Sequence, residues 1–247
     1  HINADGYKKS ISGPGAGNYL TVGKCLSQIE NCFGKEALNK TFFHAHGTST
    51  PQNRESESHI ISSLAKAFNI NALPVTAIKS YLGHSLAAAG GDQIICALGS
   101  WKNNWIPGIT STPALAEDVY SENLNFLLKN LEFNDGNFDF AILNAKGFGG
   151  NNGTALIASP NKTMKMLEVK HSTETIKKYY PKNEKIQKKL EVEKINILSG
   201  EIKSRYMFGE DVINGLTDFQ IEKDQIVNKV TNEKFSLDST LPYKDFL

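Results

Sequence analysis

The stretch FFHAHGTSTPQNRESESHIISSLAKAFNINALPVTAIKSYLGHSLAAAGGDQIICALGSW, residues 42–101, decides the fold. It opens with a short apolar run, residues 42–46, that leads into HGTSTP, the pattern of a buried strand ending in a loop. From about 55 to 68, Ile60, Ile61, Leu64, Ala65 and Phe68 recur at helical spacing. PVTAIKS, residues 74–80, has the β-branched content of a second strand, and the alanine-rich segment from 86 to 101 predicts a second helix. Strand, helix, strand, helix points to an α/β layer built on a parallel sheet.

Downstream, FDFAILNA at 138–145 and GTALIAS at 153–159 read as two further strands. They are joined by KGFGGNN, where Gly147, Gly149 and Gly150 mark a tight turn whose backbone can approach a ligand closely. The composition then changes near Pro160: residues 1–160 are rich in glycine and alanine, and 161–247 are rich in lysine and glutamate. This predicts a catalytic-type core over 1–160 and an extension over 161–247. In the extension, residues 172–198 read as an amphipathic helix interrupted at Pro181. DFQIEKD, QIVNKV and EKFSLD alternate apolar with polar residues, as half-buried strands do.

With 247 residues and 40% hydrophobic content, the chain can bury a sizeable core. A net charge of +1 gives no reason to expect nucleic acid or an anionic membrane as a partner. No apolar run of about 18 residues occurs, and the opening HINADGYKKS lacks a secretion-signal pattern, so a cytoplasmic location is expected. Cys25, Cys32 and Cys96 lack the short paired spacings of zinc sites or redox dithiols, so no metal is expected. They read as reduced, mostly buried thiols, with Cys25 and Cys96 on helical stretches where no sharp turn would expose a nucleophile.

Three motifs carry the chemistry: HAHGTSTP at 44–51, KSYLGHSLAAAGG at 79–91 and NAKGFGGNNG at 144–153. Each puts polar groups or glycines at the C-terminal end of an apolar strand, where open α/β sheets assemble their sites. One loop histidine is more often structural than catalytic. Two of them, His46 and His84, each at a strand end and each beside a glycine, point to one composite site. Nucleotide-binding readings of the glycines fail, because GPGAGNY lacks the lysine and hydroxyl of a phosphate loop and GFGGNNG lies between strands.

HGTSTP, KSxxGH and GFGG in this order resemble the signature of the β-ketoacyl-(acyl carrier protein) synthases of the thiolase-like superfamily, and the likeness spans roughly residues 1–160. HGTSTPQNRESESHI, SYLGHSL and the long extension are similar to the long-form bacterial condensing enzymes of fatty-acid synthesis. The resemblance implies the C-terminal half of a duplicated αβαβα layered fold, followed by an α+β extension. It also implies a decarboxylative Claisen condensation of an acyl thioester with malonyl-(acyl carrier protein). His46 and His84 would hold the thioester carbonyl with two imidazole N–H groups, each donor worth about 2.7–4 kcal/mol in the transition state. Lys79 would hold the hydrogen-bond network and orient His84, and Glu57 would organise buried polar groups. Thr48 and Thr50 would bind the phosphopantetheine arm, which the acyl carrier protein carries, so no cofactor of the chain's own is expected. Phe148, with Gly147 and Gly149 around it, would gate the site and supply a backbone N–H to an oxyanion hole.

The nucleophilic cysteine of such enzymes is absent here; it would lie in an N-terminal half, upstream or on another chain, which INADGYKKSISGPG would connect to. A homodimer is the usual assembly of the family. The lysines between 162 and 189 read as a solvated face, with contact to the acidic carrier protein as the sharper alternative. Arg54 stands where the resemblance has aspartate, Gln52 and Asn53 replace a more apolar pair, Ala145 replaces serine, and Lys146 replaces phenylalanine. A lysine there would favour a short or polar acyl donor or meet a coenzyme A phosphate. The alternative is a catalytically inactive, chain-length-factor-like or scaffolding partner of a ketosynthase, against which the retention of both histidines, Lys79 and the GFGG loop argues.

Overall fold

The computed structural model of the chain describes residues 1–5, 15–202 and 213–237. It divides into two compact units, His1–Ile176 and Lys177–Leu247. The segment expected to connect to an N-terminal half falls largely on residues 6–14, outside the described ones.

The first unit is built from β1 (Ile2–Ala4), α1 (Ala16–Phe33), β2 (Thr41–His44), α2 (Pro51–Ala67), β3 (Leu73–Thr76), α3 (Lys79–Leu82), α4 (Ala89–Asn103), β4 (Trp105–Ile106), β5 (Leu124–Phe126), β6 (Leu131–Glu132), β7 (Phe140–Gly147), β8 (Asn151–Ala158) and α5 (Pro160–Lys170). Its main sheet has the order β1-β8-β7-β2-β3-β5. The β7–β2–β3–β5 part is parallel, as the alternating pattern predicts, whereas β8 returns antiparallel on β7 and β1 adds antiparallel to β8. The sheet is therefore mixed, because the three-residue connection 148–150 is long enough only for a hairpin.

Strand alternation divides the core between two faces. Phe43, Val75, Phe140 and Ile142 pack with Val22, Leu26 and Ile29 of α1 and with Ile61 and Ala65 of α2. Phe42, Ala141 and Leu143 point the other way, onto Ala97 and Trp101 of α4. The result is three layers, helix on sheet on helix, and each fully buried phenylalanine contributes about 1.5–3 kcal/mol.

Several local expectations change. The second strand ends at Thr76 instead of Ser80: β3 has no β5 partner beyond Val75, and local bonds from Ser80 and Tyr81 to the carbonyls of Ala77 and Ile78 take over, so Lys79 opens a helical turn. Helix α4 starts at Ala89 and not at 86, because Leu86 has φ +55°, outside the helical region, and Leu86–Ala88 forms a tighter 3-10 turn. Helix α5 was not expected; Ser159 caps it by accepting the Lys162 N–H, with Pro160 at the first helical position. Among the cysteines, Cys32 is exposed, on the outer face of the last turn of α1.

The second unit carries most of α6 (Thr173–Leu198), then β9 (Phe219–Ile221), β10 (Gln225–Asn228) and β11 (Lys234–Ser236) in a three-stranded antiparallel meander. The three alternating segments are thus strands. Helix α6 runs through Pro181 without the expected interruption; a proline removes one backbone bond, and the lysine- and glutamate-rich residues beyond it carry the helix on.

Candidate active site

The three sequence motifs meet in one cleft of about 910 Å³ at the C-terminal ends of β2, β3 and β7. It is lined by His46, Gly47, Thr48, Thr50, Glu57, Lys79, His84, Lys146, Gly147 and Phe148. Gly149 is not part of its lining; with φ +79° it turns the β7–β8 hairpin behind Phe148.

After β2 the chain makes a left-handed turn at Gly47, φ +55°, where any Cβ would stand 2.6 Å from the Ala77 methyl. Only glycine lets the HGTST loop pass this close to the end of β3. Thr48 and Thr50 hydroxyls, 3.3 Å apart, face the cleft before Pro51 starts α2.

The buried Glu57 carboxylate lies beneath the loop and accepts four hydrogen bonds. His46 N and Asn144 Nδ2 donate to Oε1 at 2.7 Å each, and Gly47 N and Asn53 Nδ2 donate to Oε2 at 3.0 Å each. Asn144 is paired amide to amide with Asn18 of α1, and the Thr154 hydroxyl lies 2.8 Å from Thr21 Oγ1 and 3.1 Å from Asn144 Oδ1. From the opposite layer, Gln93 of α4 donates to the carbonyls of Ala45 and Asn144 at 3.0 Å each. Such a fully satisfied buried network fixes the geometry of whatever it holds.

Both imidazoles have a defined tautomer. The backbone N–H of Lys146 donates to His46 Nδ1 at 3.2 Å, and that of Leu86 donates to His84 Nδ1 at 3.0 Å. A backbone amide can only donate, so in each neutral ring the proton sits on Nε2. The rings lie 5.4 Å apart between centroids and nearly perpendicular, at 84°. Burial lowers the His46 pKa to about 4; Glu57 opposes this, and Lys79, His84 and Lys146 add to it. His84 is also lowered, by desolvation and then by Lys79. Near neutral pH the cleft therefore presents two uncharged Nε2–H donors.

Lys79 donates to the His46 carbonyl at 2.6 Å, so it holds the loop bearing His46 and has no hydrogen bond to the His84 ring it was expected to orient. Lys146 lines the cleft, its ammonium donating to Ser56 Oγ at 3.1 Å, with the Glu57 charge acting on it. Burial lowers the pKa of both lysines, and in both the Glu57 charge opposes the shift. Arg54 makes a bidentate ion pair with Asp118 at 2.7 Å.

The glycine turn is fastened at its base. Gly150 O accepts from Asp5 N at 2.9 Å and from Asn152 Nδ2 at 3.0 Å, while Asp5 accepts from Gly17 N and Asn152 Nδ2. Phe148 stands at the mouth with 73% of its surface exposed. Burial pushes the thiols of the buried Cys25 and the partly buried Cys96 up to about 11, which suits inert thiols and not nucleophiles. No group of ligating side chains suited to a metal ion occurs among the described residues.

Asn18, Asn53, Ser56, Gln93 and Asn144 were missed in the sequence. Asn144 ends an otherwise apolar strand and Gln93 interrupts an apolar helix face, and those breaks in pattern were the available signal.

Residues 2–112 match the family described as beta-ketoacyl synthase, C-terminal domain. The chain is 41% identical over 214 residues to beta-ketoacyl-[acyl-carrier-protein] synthase FabY of Pseudomonas aeruginosa, covering 86% of this chain and 34% of that protein. It is 27% identical over 159 residues to 3-oxoacyl-[acyl-carrier-protein] synthase 2 of Coxiella burnetii, covering 64% of this chain and 36% of that one. The crystal structure of the noncanonical ketosynthase FabY from P. aeruginosa superposes with a TM-score of 0.79 at 37% identity, over 100% of this chain and 38% of that chain. The chain thus spans little more than a third of the length of these three relatives. The motif order, the mixed sheet and these likenesses agree: the chain has the thiolase-like ketosynthase fold and carries the C-terminal domain of the β-ketoacyl synthase family.

Proposed function

We propose that this chain supplies the His46, His84 and Lys79 part of a condensing site that joins an acyl thioester to malonyl-(acyl carrier protein) in fatty-acid synthesis. The observation that carries the reading is the pair of neutral imidazoles whose tautomers are fixed by backbone amides, so that two Nε2–H donors face one cleft. A malonyl thioester carbonyl oxygen would accept from both. The bond to the carboxylate carbon breaks, carbon dioxide leaves, and the electron pair passes into an enolate whose oxygen the two donors hold. The enolate carbon then attacks the acyl carbonyl carried on a cysteine; the new carbon–carbon bond forms, and the carbon–sulfur bond breaks to release thiolate. Thr48 and Thr50 would bind the phosphopantetheine arm of the carrier, and Phe148 would close the mouth and offer its N–H to the acyl oxyanion.

The cysteine belongs, on this reading, to a part of the synthase outside the third of the relatives that this sequence matches. An apolar surface around α4 supports a seat for that portion: Leu82, Leu86 and Ile95 are 62%, 72% and 72% exposed, beside Gly90, Gly91 and Gly99, where an added Cβ would meet nothing. The carrier protein as partner, a homodimer and a cytoplasmic setting follow from the same reading. Among the described residues no helix is long and apolar enough to cross a membrane.

The test is malonyl-thioester decarboxylation by the synthase containing this chain, with His46→Ala and His84→Ala. Each should lose about 10²–10³-fold in kcat. A loss of less than about threefold for both would instead favour a scaffolding subunit.

A further inference from the structure

Beside the histidines, one wall of the cleft is made by a segment with no regular structure between β4 and β5. Ala114, Leu115 and Val119 of this segment face the cleft opposite Ile61, Val75 and Phe126. Its second half is zipped to α2. Arg54 pairs with Asp118 through two bonds of 2.7 Å; Ser58 Oγ accepts the Tyr120 N–H at 3.1 Å; Ser62 Oγ donates to Glu122 O at 2.8 Å; and Lys66 bonds the Glu122 carboxylate at 3.1 Å. The Tyr120 ring also packs edge-on against His59, 4.7 Å between centroids.

The partners step by four residues on the helix and by two on the segment. Four helical residues rise about 6 Å and two extended residues about 6.6 Å, so the two repeats stay in register over three contacts. The other end is held where the Tyr81 hydroxyl meets Thr110 Oγ1 at 3.0 Å. Between these anchors, residues 113–117 make no hydrogen bond to another element among the described residues.

We propose that residues 111–122 form a strap whose cleft-facing Leu115 and Val119 set the length of acyl chain the site accepts, with Arg54 and Asp118 as its positioning pair. The assignment rests on the thioester reading above, and its chemistry is that of an apolar tail. Two N–H donors in the cleft suit a carbonyl, and the apolar side chains that line it with them gain only from burying hydrocarbon. The pair itself is 37% and 39% exposed, too open to add much stability. A bidentate fork nevertheless has one geometry, and here it fixes where the free span of the strap lies.

The test uses the synthase containing this chain, with acyl thioester donors of graded length and malonyl thioester as extender. Arg54→Asp and Asp118→Arg should each speed amide exchange over 111–120 and change the long-to-short ratio of kcat/KM by about tenfold. The double exchange Arg54→Asp with Asp118→Arg should return both readouts toward the parent. Leu115→Trp, which leaves the anchors intact, should shift preference to short donors with exchange unchanged. An active parent whose ratio stays within about twofold in all four variants overturns the strap alone. A parent that condenses no thioester overturns the functional reading, and this assignment with it.

Discussion

Glu57→Gln is the most demanding perturbation of the site, because the new side chain is nearly the same shape and differs in what it can accept. The carboxylate takes two hydrogen bonds on each oxygen. A glutamine amide presents one oxygen and one NH₂, so whichever way it faces, two of the four donors lose their acceptor and meet another donor. Hydrogen bonds to a charged group contribute about 1.5–3 kcal/mol each, so the loss of two predicts about 3–6 kcal/mol of destabilisation. The two tryptophans, Trp101 and Trp105, both lie in the His1–Ile176 unit, so their fluorescence follows that unit during urea unfolding. The expected result is a large fall in midpoint at unchanged m-value. A loss below about 1 kcal/mol would mean that Glu57 does not anchor the HGTST loop, and the account of how His46 is positioned would fail with it.

Acid should destabilise the fold through its buried imidazoles. His44 is fully buried with neither ring nitrogen bonded, and burial lowers its pKa to about 3, while that of His46 is lowered to about 4. Both folded values lie below the usual histidine value, so as pH falls the unfolded chain takes up protons first. The stabilisation is whole above about pH 6.5 and is lost as pH drops toward the folded values, by about 2 kcal/mol per histidine near pH 5. Urea midpoints at pH 7.5 and pH 5 check this, and His44→Leu should remove about half of the imidazole part; an unchanged slope refutes neutral burial of His44. Gly47→Ala should destabilise by at least about 1–3 kcal/mol, since a methyl at φ +55° would collide with Ala77; wild-type stability in the same fluorescence assay would show that the loop can move aside.

How much of this was legible in the sequence varies by element. Strands β2 and β7 and helix α2 follow from apolar runs and 3.6-residue spacing, which depend on near neighbours only. One moved boundary is decided by a partner elsewhere, since β3 ends within a residue of its last β5 pair; the other is local, since Leu86 stands at φ +55°. Glycine at 47 could be read as a turn, but its necessity is an approach to Ala77, thirty residues away.

Residue type and local spacing carry the α/β pattern, the order of the three motifs and the candidacy of His46 and His84, while Lys79, Glu57 and Phe148 are legible through the family resemblance. What each group bonds emerges from the folded chain. It brought Lys79 to the His46 carbonyl and Lys146 to Ser56, and aimed two backbone amides at the Nδ1 atoms. The His46 tautomer, the charge states and the shape of the strap depend on groups a hundred or dozens of residues apart in the chain, whereas the His84 tautomer is set two residues away by Leu86.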